Sequence, residues 1–374
     1  MEAVVEDPLV HVEQVFQLSS FGIKPEQVTF PRATMSSHRW LCCRHTSKKK
    51  KRDNCVTVIN LTSRTPRPKT WPCTADSAIM NPRKPWLALK LGRHFQIFNI
   101  VAEKQMYRCT MKDEVQYWTW LNEDVIGMVG SKFTYHWDLS PPTGFSRPVR
   151  AFARHPKLNF CQIVAYKTDP SFRWFAVVGL YREYDDGDAN SVCGVTQVYS
   201  AHYNHSIPID AQAATFAKYL RKGNQKPTSL LVLAHRSAGQ PGKIHIIELG
   251  PFISGNYSLT NNTEQLLFDD KSFYDFPVCV QVSTTQGLVY VFTKSGMVKV
   301  SDIQTGVYLC SARVSHMAVF TAITDVEEKR IVALDRCGKL LSIKIKEEAL
   351  LTHVKEKMKK RIVADQLEKS FAKE

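Results

Sequence analysis

The sequence predicts an all-β protein, a seven-bladed β-propeller followed by a short α-helical segment. Three observations point there. Apolar and β-branched runs of four to eight residues recur through the chain, separated by Gly, Pro, Asn, Asp or charged turns. Four stretches share one unit of strand, Gly-containing basic turn and strand with a polar end: "WLALKLGRHFQIFNI", "VIGMVGSKFTYHWDL", "LVYVFTKSGMVKVSDI" and "RIVALDRCGKLLSIKI". The unit returns every ~30–50 residues, the period of propeller blades.

Taken in order, the units fall near residues 28–62, 76–104, 114–140, 160–200, 211–250, 276–306 and 318–346. Seven blades at ~40 residues each need about 300 residues, which suits the chain up to Lys346. "VFQLS" near the N-terminus is placed to add an outer strand to the last blade. After Lys346 the pattern changes. "KEEALLTHVKEKMKKRIVADQLEKSFAKE" has neither Gly nor Pro, and Leu350, Val354, Met358, Ile362, Leu367 and Phe371 recur every four or five residues. That spacing predicts one face of a helix, with Glu347 and Glu348 suited to its N-terminal dipole. The expected division is thus a propeller over 1–346 and the start of a helical linker over 347–374.

Composition fits a folded, non-membrane chain. Of 374 residues, 44% are hydrophobic and 10% aromatic, and no apolar run reaches the ~18 residues that span a bilayer. "MEAVVEDPLVHVEQ" lacks a secretory layout, so a cytoplasmic location is expected. The ten cysteines show no C-x-x-C pair, and those in runs such as "NFCQIVAY" read as small buried hydrophobes rather than zinc ligands or disulfides. The four N-x-[ST] sequons, at Asn60, Asn204, Asn256 and Asn261, read as chance matches.

The net charge of +15 is concentrated. Between Arg44 and Arg93 thirteen Lys and Arg face only Asp53 and Asp76. Such a field favours an acidic partner. The run "SKKKKRD" (Ser47 to Asp53) resembles an import or nucleic-acid signal, but its place between two strand patterns reads as a hairpin tip. "EYDDGD" (Glu183 to Asp188) lacks calcium-loop spacing and reads as an acidic tip. His202 and His205 have no further ligand nearby. No Gly-rich nucleotide loop, metalloprotease helix or nucleophile elbow occurs. The expectation is a binding platform with no cofactor and no metal, not an enzyme.

"ADSAIMNP" (Ala75 to Pro82) followed by "FQIFNI" (Phe95 to Ile100) resembles the clathrin heavy-chain terminal domain. The likeness continues in order through "FGIKPEQVTF", "CQIVAYKTD", "GKIHIIELG", "DFPVCVQVS" and "KSGMVKVSDIQTG". The resemblance implies a seven-bladed propeller and helical linker that bind short motifs of endocytic adaptors in vesicle coats and intracellular protein transport. It implies a location on the cytoplasmic face of coated pits, with membranes reached through adaptors. It implies no trimerisation or light-chain-binding segment in this chain, and it does not favour nucleic acid.

The resemblance implies three sites. The first groove, between blades one and two, takes an L-φ-x-φ-[DE] peptide. Its matching positions are Trp71, Leu87, Lys90, Arg93, His94, Gln96, Phe98 and Lys104, of which Gln96 and Phe98 keep the family's type. The cationic rim departs, with Trp71, Glu103 and Gln105 where the family carries basic residues. A top-face site for tryptophan-bearing motifs matches Phe30, Gln162, Val164 and Leu180. A third groove, between blades four and five, matches Trp174, Val198, Tyr203, Ile207 and Ile209, with Tyr203 and Ile207 replacing the family's arginine and glutamine. Two alternatives stand beside the adaptor reading: a diverged propeller for another acidic partner, and a structural domain with degenerate grooves. Each apolar residue named here also suits a blade interface.

Overall fold

A computed structural model describes residues 7–46, 54–63, 65–140, 146–183, 191–257, 259–269 and 272–372. The Ser47 to Asp53 run and residues 184–188 of the acidic tip lie outside the described residues.

The described residues form seven four-stranded antiparallel sheets, a seven-bladed β-propeller. One strand, β1 (Val10–Gln17), precedes the first blade. Blade one is β2 (Ala33–Ser37), β3 (Trp40–Thr46), β4 (Asn54–Asn60) and β5 (Lys69–Pro72); blade two is β6 (Ser77–Met80), β7 (Trp86–Leu91), β8 (His94–Asn99) and β9 (Lys104–Thr110). Blade three is β10 (Val115–Trp120), β11 (Val125–Gly130), β12 (Phe133–Asp138) and β13 (Val149–Ala153); blade four is β14 (Gln162–Thr168), β15 (Trp174–Glu183), β16 (Ser191–Ser200) and β17 (His205–Asp210). Blade five is β18 (Ala213–Tyr219), β19 (Thr228–His235), β20 (Gly242–Leu249) and β21 (Asn261–Leu266); blade six is β22 (Pro277–Ser283), β23 (Leu288–Thr293), β24 (Met297–Asp302) and β25 (Tyr308–Arg313). Blade seven is β26 (Val319–Asp325), β27 (Arg330–Asp335) and β28 (Lys339–Ile345), with β1 as its outer strand.

Burial explains why the middle strands are the legible ones. β23 is buried at all six positions, and β19 at six of eight, because both faces of an inner strand meet other apolar surface. Outer strands such as β9 and β21 are mostly exposed, and their polar sequences carry no apolar run. The sequence units therefore stop short. Each of the first six blades has an outer strand after, or running past, the boundary read from the sequence.

The chain falls into two compact units. One, residues 15–159 with 336–340, holds blades one to three. Within it, blades one and two are tied by Thr34 Oγ1 donating to the Ala78 carbonyl at 2.9 Å and by Ser36 Oγ donating to the Met80 carbonyl. The other unit, residues 1–14, 160–335 and 341–374, holds most of blades four to seven and the C-terminal helices.

Those helices depart from the single predicted face. α1 (Glu347–Thr352) opens into a wider turn over His353–Lys357, and Lys359 adopts a left-handed φ of +55° before α2 (Arg361–Phe371). The break shifts the phase. Leu350, Val354 and Leu367 are buried against the apolar residues of blades six and seven, with Met358 and Phe371 packed beside them. Val363 is buried there in place of Ile362, which is 70% exposed.

Candidate functional site

The groove between blades one and two is built by strand register. β7 and β8 pair Leu87 with Phe98 and Leu89 with Gln96, so these four side chains share one face of blade two. The opposite face carries Phe95 and Ile97, which pack with Trp118 and Trp137 of blade three. Across from the first face, β4 pairs Val56 with Trp71 of β5. A groove of about 400 Å³ lies between them, lined by Val56, Trp71, Pro72, Cys73, Leu87, Leu89, Phe98, Asn99, Ile100 and Glu103. It is apolar, and Glu103 is its one charged lining residue among those described.

The "ADSAIMNP" block braces the strands that carry this groove. Asp76 Oδ2 accepts from the Gly92 amide at 2.7 Å and so clamps the β7–β8 turn. Asn81 is fully buried. Its Oδ1 accepts from the Arg83 and Lys84 amides at 2.9 and 2.8 Å, and its Nδ2 donates to the Glu123 carbonyl at 2.8 Å. The motif is thus structural: it fixes the strands whose other residues face the groove.

Of the residues expected at the first groove, Trp71, Leu87 and Phe98 come together in it. Gln96 shares the face of Leu87 and Phe98, and it and His94, flanking Phe95 in β8, also reach the lining of the neighbouring groove between blades two and three. Lys90, Arg93 and Lys104 line neither. Lys90 pairs with Phe95, which puts it on the face turned from Leu87. The sequence reading missed Val56, Cys73, Leu89 and Ile100. The period-two pattern from Leu87 to Leu89 signals one of them; the others depend on blade one meeting blade two.

By sequence, the chain is 33% identical over 344 residues to human clathrin heavy chain 2. It is 31% identical over 345 residues to the clathrin heavy chain of Drosophila melanogaster, and 32% over 361 residues to clathrin heavy chain 1 of Arabidopsis thaliana. These matches take in 92–94% of this chain.

The chain is a relative of the clathrin heavy chains.

It spans about a fifth of the length of those curated relatives, 20% in each case. No family model matches it. Among solved structures it is similar to the β-propeller domain of Cps50 (Swd1) from Myceliophteria thermophila, with a TM-score of 0.53 and 10% identity over 84% of this chain and 96% of that one. It is also similar to a chain of the Mitotic Checkpoint Complex, with a TM-score of 0.58 and 11% identity over 92% and 98%. At such identities the likeness shows the fold alone.

The other positions drawn from the clathrin resemblance have distinct settings. In the unit of blades one to three, the half-buried Phe30 stacks on Tyr117 with ring centroids 6.5 Å apart. In the other unit, Gln162 pairs with Leu180, and Val164 stands at a register shift between Ile163 and Ala165. In blade four, Val198 pairs with Ile207 and Thr196 with Ile209. Trp174 Nε1 donates to the Gly250 carbonyl at 2.8 Å, and the Tyr203 ring lies 6.4 Å from the indole. Val198 is buried, with Trp174 and Ile209 packed on the same cluster. Tyr203 and Ile207 are exposed, at 59% and 52%. The paired strands bring these five together at one blade edge, with Trp174, Val198 and Ile209 turned inward and Tyr203 and Ile207 outward.

All ten cysteines are free, and five are buried. Burial pushes the Cys43 and Cys109 thiols up to about 12, which leaves them protonated and inert at neutral pH. Among the described residues, no three His, Cys, Asp or Glu side chains are grouped to hold a metal, and no helix is long and apolar enough to cross a membrane.

Proposed function

We propose that the chain acts as a clathrin heavy-chain-like docking platform, not an enzyme. In this reading it receives extended peptides from adaptor proteins in the groove between blades one and two, on the cytoplasmic side of vesicle coats in intracellular protein transport. Residues 347–374 serve as the start of a helical linker after a propeller over 1–346. The carrying observation is the apolar groove itself. Trp71, Leu87 and Phe98 converge in it, in a chain related to the clathrin heavy chains over nearly its whole length.

The groove suits the apolar residues of an L-φ-x-φ-[DE] peptide, which would bury against Leu87, Leu89 and Phe98. Among the described residues its lining supplies no cation to the peptide's acidic end, and Glu103 repels it. Fluorescence anisotropy with a labelled peptide of that pattern tests the reading. Phe98→Asp should abolish binding. Glu103→Lys should tighten it about three- to tenfold, by replacing a repulsive contact with an attractive one. Binding that survives Phe98→Asp unchanged would remove this groove as the site.

A further inference from the structure

We propose that the groove between blades two and three is a second docking site, one that takes an extended acidic peptide. It is the larger of the two grooves beside blade two, about 820 Å³. Its cations come from both sides. Arg108 and Lys112 stand at the end of β9 and just beyond it, and Arg147 and Arg150 stand before and at the start of β13. Phe95, Met111 and Tyr135, all buried, form its apolar floor.

Among the described residues, none of the four is ion-paired with a carboxylate. The one carboxylate in the lining, Asp113, accepts from the Tyr135 hydroxyl. The Arg150 guanidinium lies 4.4 Å over the Phe133 ring, which holds it at the wall. His94, at the near rim, is engaged with the Thr110 hydroxyl at 2.9 Å. Four cations against one engaged carboxylate make the groove a site for negative charge.

Its shape selects among anions. Apolar side chains must reach Phe95, Met111 and Tyr135 while carboxylates meet the arginines and lysine above them. An extended peptide with alternating acidic and apolar residues does both, since successive side chains point to opposite sides. β9 is also the outer strand of its sheet, and Arg108 to Asp113 offer six consecutive lining residues beside that edge. A bilayer surface is flat and meets only the rim. The site is distinct from the first groove, which lies on the other face of blade two and has no cation in its lining among the described residues.

The probe is a fluorescein-labelled peptide in which glutamate alternates with leucine, followed by anisotropy. The glutamate peptide should bind, weaken steeply with added salt, and lose about tenfold or more when glutamine replaces glutamate. Lys112→Glu, at an exposed position, and the double variant Arg147→Glu/Arg150→Glu should each weaken it about tenfold, with thermal melts confirming that both fold. Phe98→Asp should leave it unchanged, so failure of the first groove's reading does not affect this result. The proposal is overturned if the glutamine peptide binds equally or if these variants bind like the parent. It is equally overturned if only phosphatidylserine vesicles or single-stranded RNA bind in a way that depends on Lys112 and Arg147.

Discussion

Lys299 is 4% exposed, in β24 of blade six. Its ammonium lies 4.4 Å from the Phe268 ring centroid, and the Arg236 guanidinium lies 4.0 Å from the same ring. Burial lowers its pKa from the ordinary 10.5 to about 8; Asp275 and Asp269 resist the shift, and Arg236 adds to it. Between about pH 8 and 10.5 the unfolded chain holds the proton and the folded chain does not, so this residue's contribution to stability rises with pH across that window. Below it, folding must carry the charge inside. Lys299→Met should therefore melt higher than the parent at pH 7, by on the order of 1–3 kcal/mol after the lost cation–π contact. The advantage should shrink as melts are repeated toward pH 10.5. A gap that does not change with pH would show that the ammonium is not desolvated. Asp76 and Asn81 differ in kind. They stand in the most recognisable stretch of sequence, yet they serve backbone amides of turns and line neither groove beside blade two.

At the scale of elements, inner strands were readable and outer strands were not. An apolar run such as "LVYVFT" admits one burial pattern, whereas "NNTEQL" is a strand only because β20 offers it an edge. The turns obey tighter local rules. Gly296, in the β23–β24 hairpin, has φ +79°, and a Cβ there would lie 2.2 Å from the Ser315 carbonyl oxygen and 2.7 Å from that of Met317. Gly296→Ala combines left-handed strain with a backbone clash, and should cost about 2 kcal/mol or more and lower the melting temperature by several degrees. An unchanged melting curve would mean that the hairpin relaxes freely. The C-terminal helix shows the limit of periodicity. Spacing of four and five runs on from Leu350 to Phe371, but one left-handed residue, Lys359, resets the phase of α2. Val363 then takes the buried position that Ile362 was expected to fill.

At the scale of the molecule, the two chain ends share blade seven. β1 is hydrogen-bonded to β28, and Val10 and Val12 join the core of blades six and seven. The Lys346 amide donates to the Leu9 carbonyl at 2.9 Å, and the Gln17 side chain donates to the Cys337 carbonyl at 2.7 Å. Removing residues 1–17 would leave β28 as an open edge and uncover apolar residues in one step. The truncated chain should lose its cooperative melt and elute as aggregate in size exclusion. A truncated chain that stays monomeric and melts like the parent would show that this strand is dispensable.

The sequence alone determined the number of blades, the inner strands, the turn glycines and the kinship with clathrin heavy chains. All of these rest on patterns within a few tens of residues, which local geometry and burial impose whatever the rest of the chain does. Only the tertiary structure decided which side chains share a groove. Thirteen basic residues crowd the stretch from Arg44 to Arg93, yet none of the described ones among them lines the first groove. The cationic groove draws instead on Arg108, Lys112, Arg147 and Arg150, two pairs some forty residues apart along the chain. A groove is made where the edges of two sheets approach, and the period-two rule that places a side chain on a face does not say what stands across from it.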